Sequence, residues 1–145
     1  MPSDPGSILL GADLLQRVAE TARAALEAKA LVPIRTRFQR IEDRGIWFSL
    51  RVADNLARKS EAAHRALSAP TAEKPLSPFL PPEPELTVGA LPSGHLAVLN
   101  KFNVIENHLL IVTREFEHQE SLLTRADFSA VACCLRWTDG LVFYN

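Results

Sequence analysis

The sequence predicts an α+β fold: antiparallel strands with flanking helices around one core. Three observations predict it. Apolar residues near the N-terminus recur at helical spacing. They switch to strict alternation between residues 34 and 52. Two short apolar runs, at 96–99 and 108–112, are then joined by only the eight residues from Asn100 to Asn107, a link that suits antiparallel neighbours. A chain of 145 residues, 47% hydrophobic and 23% charged, can build one globular core and bury ~70% of the surface its unfolded form exposes.

The first element is an amphipathic helix from about Ala12 to Ala30. Leu14, Val18, Ala22, Ala25 and Leu26 form its apolar stripe, widened by Leu15 and Ala19, and Arg17, Glu20, Arg23 and Glu27 fall opposite. Pro33 closes it off. Ile34 to Ile41 and Ile46 to Val52 then read as a β-hairpin around a turn at Glu42-Asp43-Arg44-Gly45, with one apolar face. Its other face is expected to carry Arg35, Arg37 and Arg51. Six of the ten prolines lie between Pro70 and Pro84, so residues 70–95 are expected as an extended, proline-rich loop pinned at Phe79 and Leu80. Leu96–Leu99 and His108–Val112 follow as buried strands. Thr124, with Asp127 three places on, resembles a capping box for a helix through about Trp137. Phe128, Val131, Ala132 and Leu135 are expected to supply its buried face. Leu141–Tyr144 is expected as a last strand. Such strands normally lead into a turn that places something, so the chain reads as part of something longer.

Composition excludes several classes. The N-terminus has no basic stretch followed by a long apolar run, and the longest apolar run, Ala130–Leu135, is far too short to span a bilayer. A soluble protein without a membrane partner is expected. Cys133 and Cys134 are adjacent, poorly placed for a mutual disulfide and without a His cluster for zinc. They read as helix thiols in a reducing compartment. Net charge is −1, yet residues 35–65 carry eight basic side chains against four acidic ones, whereas residues 66–145 carry five against nine. Basic segments often meet phosphate.

The chemistry-bearing motifs are few. Gly-Xaa-Ser-Xaa-Gly, a Walker loop and a dinucleotide fingerprint are all absent. The four histidines, His64, His95, His108 and His118, have no spacing that would place two on one metal. His108 opens an apolar strand and is expected to be structural. His95 follows Ser93-Gly94 in a turn and is expected to be solvated. Glu83 and Glu85 flank Pro84 without specifying an acid–base pair. Arg35, Arg37 and Arg51, followed by Arg58 and Lys59, could neutralise a polyphosphate or simply be solvated. Binding of single-stranded nucleic acid with Trp47 as a stacking surface is a weaker reading, because net charge is near zero.

From Leu56 onward the chain resembles the ATP adenylyltransferase family, also called diadenosine tetraphosphate phosphorylases, in the galactose-1-phosphate uridylyltransferase branch of the histidine-triad superfamily. The matching stretches are Pro78–Leu86, Leu99–Ile105 and His108–Phe116. Gln119, Ser121, Leu122, Thr124 and Asp127 continue the match, and Phe143-Tyr144-Asn145 ends it. The run from Leu99 to Phe116 is specific, whereas the first fifty residues match loosely.

The resemblance implies a half-barrel antiparallel sheet with flanking helices, and residues 1–145 as the N-terminal nucleotide-binding part of the family's domain. It puts Asn100 against the ribose hydroxyls, where one amide can accept from one hydroxyl and donate to the other. It puts Lys59 and Asn145 near the phosphates. Relatives follow Phe-Tyr-Asn with a Gly/Ser-rich turn and a His-Xaa-His-Xaa-Gln segment, one histidine of which carries a covalent nucleotidyl intermediate. That segment is not in this sequence, so no catalytic residue is expected here and the chain alone is expected to be inactive.

The implied function of the intact protein is a cytoplasmic nucleotidyltransferase of nucleotide metabolism. It would phosphorolyse diadenosine tetraphosphate to ATP and ADP, or run the reverse, with adenine nucleotides or dinucleoside polyphosphates and phosphate as partners. No metal site or other cofactor is specified, a divalent cation such as Mg being the one candidate. The alternative is a non-catalytic adenine-nucleotide-binding module or a decayed gene fragment.

Overall fold

The structure, a computed structural model, describes residues 13–53 and 79–144. Its elements, in chain order, are helix α1 (Asp13–Glu27), strands β1 (Thr36–Asp43) and β2 (Ile46–Ala53), a 3-10 turn (Pro84–Leu86), strands β3 (Thr87–Ala90), β4 (Leu96–Leu99) and β5 (Leu109–Val112), and helix α2 (Arg125–Leu135). All strand pairing is antiparallel. The strands form a two-stranded sheet, β1-β2, and a three-stranded sheet, β3-β4-β5. The α+β fold is as expected, and no closed barrel forms among the described residues.

The core lies on the three-stranded sheet. Its central strand, β4, has all four residues buried. This is why Leu96-Ala97-Val98-Leu99 reads as an unbroken apolar run rather than an alternation. Leu14, Val18 and Ala25 of α1 join the same core with Leu31, Leu86 and Val88, and Ala130 and Cys134 of α2 join it as well. Helix α1 rests on the 3-10 turn and β3, where Arg17 Nη2 donates to the Val88 carbonyl at 3.4 Å. The buried stripe of α1 is narrower than the sequence pattern. Leu15 and Leu26 stay about half exposed, because the sheet beneath is only three short strands wide.

The prolines give way to structure earlier than expected. Within 70–95, residues 87–90 form β3, paired to β4 from Thr87↔Val98 to Ala90↔Leu96 with an irregularity between Thr87 and Gly89. Pro84 sits in the first turn of the 3-10 segment, where it has no amide to lose.

The hairpin turn is two residues rather than four. Arg44 and Gly45 both take positive φ, 51° and 81°, so Asp43 pairs directly with Ile46. That register sets the faces. Phe38 lies opposite Arg51 and Arg37 opposite Val52, while Ile41 faces Phe48. Phe38 is therefore on the other side of the ribbon from Phe48 and Leu50, and Arg37 and Arg51 are on opposite sides, with Arg35 preceding β1. The expected single apolar face and single arginine face are both corrected by this pairing, since side chains alternate with period two. Arg40 lies 5.3 Å over one face of the Trp47 ring, a cation–π contact.

Helix α2 begins with the expected capping box. Thr124 accepts from the Asp127 amide, and the Asp127 carboxylate accepts from the Thr124 amide. Its buried face differs from expectation. Ala130 and Cys134 are buried, while Phe128 is 61% exposed and Leu135 41%. One contact sets that rotation. The helix presents Asp127 to His95, and residues 130 and 134, three and seven places on, follow onto the same side. Residues 141–144 belong to no strand or helix, correcting the expected final strand. Tyr144 Oη instead donates toward the Gln119 and Ser121 carbonyls at 2.6 and 2.9 Å.

Candidate functional site

Three apolar residues of α1 line a pocket. Ala19, Ala22 and Leu26 form one wall with Leu31 and Pro33, and the end of β4 with the β4–β5 connection forms the other, through Leu99, Asn100, Asn103, Glu106, Asn107 and His108. Its volume of about 520 Å³ lies within the range of small-molecule sites. Charge at the pocket is mixed: Arg23, Glu27 and Glu106 all border it.

Asn100 stands where β4 ends. Its backbone N–H donates to the His108 backbone carbonyl at 2.9 Å, closing the base of the connection. Asn100 Oδ1 accepts from the Phe102 amide at 3.1 Å, and Nδ2 faces His108 Nδ1 at 3.5 Å. The first contact fixes which end of the amide points where. The second makes Nδ1 of His108 the acceptor. One lone pair on Oδ1 and one hydrogen on Nδ2 remain for a ligand. His108 is half-buried, and its ring lies 6.5 Å from that of Phe143, so the expected structural histidine is bonded to a side chain at the pocket. Asn107 takes φ 55°, the left-handed conformation that asparagine tolerates, and turns the chain back into β5.

The connection is pinned from behind. Val32 donates to the Lys101 carbonyl at 2.8 Å and Ile34 to the Asn103 carbonyl at 2.9 Å. Lys101 Nζ meets both oxygens of Glu83 at 2.8 Å, so Glu83 is an ion-pair partner rather than half of a carboxylate pair with Glu85. Phe102, in the same connection, is 51% exposed. Of the other two residues placed at a nucleotide by the resemblance, Lys59 and Asn145, both lie outside the described residues. The α1 wall and Asn103 were not anticipated. The only hint was an α1 stripe wider than one packing face requires.

A second polar cluster joins the β3–β4 turn to α2. His95, expected in solvent, is 5% exposed. Its Nδ1 contacts Ser93 Oγ at 3.0 Å and its Nε2 contacts Asp127 Oδ1 at 2.8 Å. Asp127 uses its other oxygen, Oδ2, for the Thr124 cap. The shorter carboxylate, where Glu is more usual, thus serves two partners. The Thr124 hydroxyl lowers the Asp127 pKa most, against the opposing effect of burial. The Thr124 amide and His95 add to that lowering, and the pKa falls to about 2. Cys134 is pushed up to about 11 by burial, with Cys133 beside it adding a smaller rise. Both thiols are free. Among the described residues no group of three or more His, Cys, Asp or Glu could hold a metal ion, and no helix is long and apolar enough to cross a membrane.

Fold and pocket together define a class: an antiparallel α+β domain whose strand connection presents a side-chain amide at a small-molecule-sized pocket. The family model for the Ap4A phosphorylase N-terminal domain matches residues 6–145, and the chain belongs to that family. The match takes in α1 and the hairpin, which resembled the family only loosely by motif.

The chain is 39% identical over 88 residues to Protein APA1 of Saccharomyces cerevisiae, covering 52% of this chain and 26% of that protein. It is 36% identical over 107 residues to diadenosine 5',5'''-P1,P4-tetraphosphate phosphorylase 2 of the same yeast, covering 64% and 31%. In structure it is similar to yeast Ap4A phosphorylase Apa2 in complex with AMP, with a TM-score of 0.68 at 24% identity over 88% of this chain and 40% of that one. It is also similar to Apa2 in complex with Ap4A, with a TM-score of 0.61 at 26% identity over 82% and 37%. The chain thus spans less than half the length of each of these relatives.

Proposed function

We propose that this chain binds the nucleoside end of an adenine nucleotide or dinucleoside polyphosphate in the pocket between α1 and the β4–β5 connection. In the intact protein, that binding would serve phosphorolysis of diadenosine tetraphosphate to ATP and ADP, or the reverse. The observation that carries this reading is Asn100, held by Phe102 at the edge of a half-apolar pocket with donor and acceptor capacity to spare. The base would lie against Ala22, Leu26, Leu31 and Leu99, and the ribose hydroxyls at Asn100. The phosphates would run outward, away from Glu27 and Glu106, and the family resemblance assigns Lys59 and Asn145 to them. A cation such as Mg would then be held by phosphate oxygens. Membership in the family and the AMP and Ap4A complexes of the yeast relative support this reading.

Transfer through a nucleotidyl-histidine needs an imidazole nitrogen free to attack phosphorus. His95 is buried and engaged at both nitrogens, His118 packs edge-on against Phe116 at 5.1 Å, and His108 turns Nδ1 to Asn100. Of the described histidines, His95 is the one with both nitrogens committed, and a chain that binds nucleotide without turning it over is a proposal that the incubation below tests. Calorimetry with ATP tests the binding: Asn100→Ala is expected to weaken it roughly tenfold, the worth of one or two hydrogen bonds. Absence of heat at millimolar ATP sinks the reading. The 145-residue chain incubated with diadenosine tetraphosphate and phosphate is expected to release no ATP, and a genuine rate would overturn the inactivity.

A further inference from the structure

We propose that Asn103 selects the base in this pocket by accepting a hydrogen bond from the exocyclic 6-amino group of adenine; the inference rests on the nucleotide reading above. Asn103 is 9% exposed and lines the pocket. Its Nδ2 donates to the Ile105 carbonyl at 2.9 Å, whereas its Oδ1 is buried with no hydrogen-bond partner. Buried side-chain acceptors without a donor are uncommon, and one carried by a residue that lines a pocket points to a donor brought by the ligand.

The chemistry narrows the ligand. An oxygen acceptor requires an N–H or O–H. In a nucleotide the ribose hydroxyls fall to Asn100, three residues earlier at the strand end, which leaves the base. At position 6 adenine carries an amino donor, whereas guanine carries a carbonyl that would face Oδ1 acceptor to acceptor. The walls beside Asn103 are aliphatic, Leu31 and Leu99 among them, and suit the flat faces of a purine.

The backbone of Asn103 is held by the Ile34 amide, so recognition falls to the side-chain amide. Oδ1 is shielded from water, and contact requires that amide to turn toward the base. The single bond to Ile105 is what resists the turn. Glu27 and Glu106 also border the pocket and could accept from the same amino group. They are exposed and keep water as a partner, so losing the amino group costs them little. A buried acceptor left unpaired is what discriminates strongly between ligands with and without the donor.

The test compares AMP with purine riboside 5'-monophosphate, which differs only by lacking the 6-amino group, by calorimetry on the 145-residue chain and on Asn103→Leu. The unaltered chain is expected to prefer AMP by about tenfold or more. In Asn103→Leu, a near-isosteric change, that ratio is expected to fall close to one while affinity for the purine riboside nucleotide stays within about threefold. If the variant fails to fold by circular dichroism, the ligand pair on the unaltered chain decides alone. Equal affinity for the two ligands overturns the role of Asn103 and leaves nucleotide binding intact, as does a preference that survives in Asn103→Leu. Failure of the unaltered chain to bind either ligand overturns the nucleotide reading itself.

Discussion

The two sheets of this molecule are built from similar amounts of apolar sequence and are used in opposite ways. In β3-β4-β5 the apolar side chains are taken up by α1 and α2, and β4 is buried at every position. In the β1-β2 ribbon, Ile41, Ile46, Phe48, Leu50 and Val52 lie on one side and Phe38 and Trp47 on the other. All seven remain between 37% and 61% exposed. Apolar alternation specifies a strand, but whether the strand's face is covered depends on what packs against it. The hairpin is held by its ladder and its turn; the larger sheet is held by helices.

That contrast can be broken most directly by truncation. Leu86→Ala, at a site 3% exposed, is expected to cost about 2–5 kcal/mol in chemical denaturation, whereas Ile46→Ala should stay within about 0.5 kcal/mol. Equal losses would mean that the ribbon is packed in solution. A medium effect belongs to the β3–β4 turn and α2. Asp127 has its pKa lowered from 3.8 to about 2 in the folded chain, so its stabilisation is complete above pH ~4 and is lost as pH falls through about 2. The loss is expected to total about 2 kcal/mol, and acid titration of Asp127→Asn should lack that portion. The smallest effect is local. Gly45→Ala has open space for its methyl but forces alanine to φ 81°, at a cost of about 1 kcal/mol. Hydrogen exchange should quicken across β1 and β2 and leave β4 unchanged. Faster exchange in β4 would show that the two sheets unfold as one.

Local patterns were legible in the sequence because their causes are local. The α1 stripe, the hairpin, the apolar runs of β4 and β5, and the Thr124–Asp127 box each depend on residues within a turn or two. What was not legible depends on distant partners. His95 is buried because Asp127, 32 residues on, meets its ring. The same contact turns α2 so that Ala130 and Cys134, rather than Phe128 and Leu135, face inward. β3 was hidden because Thr87-Val88-Gly89-Ala90 is short, contains a glycine and follows prolines, and its strand character comes from pairing with β4. At the site, motif resemblance reached Asn100 but not the pocket beside it. Helical periodicity marks which α1 residues are apolar, without separating those against the core from those against a cavity.

Helix α1 serves both sides of that division. Leu14, Val18 and Ala25 hold the core, while Ala19, Ala22 and Leu26, on the same fifteen-residue element, border the pocket. Occupancy and folding are therefore linked thermodynamically. A molecule that fills the cavity only when the helix is docked must raise the melting temperature, by about 2.7 kcal/mol of added stability at a hundredfold excess over its dissociation constant. A thermal-shift screen of this chain can rank candidate small molecules without any assay of turnover.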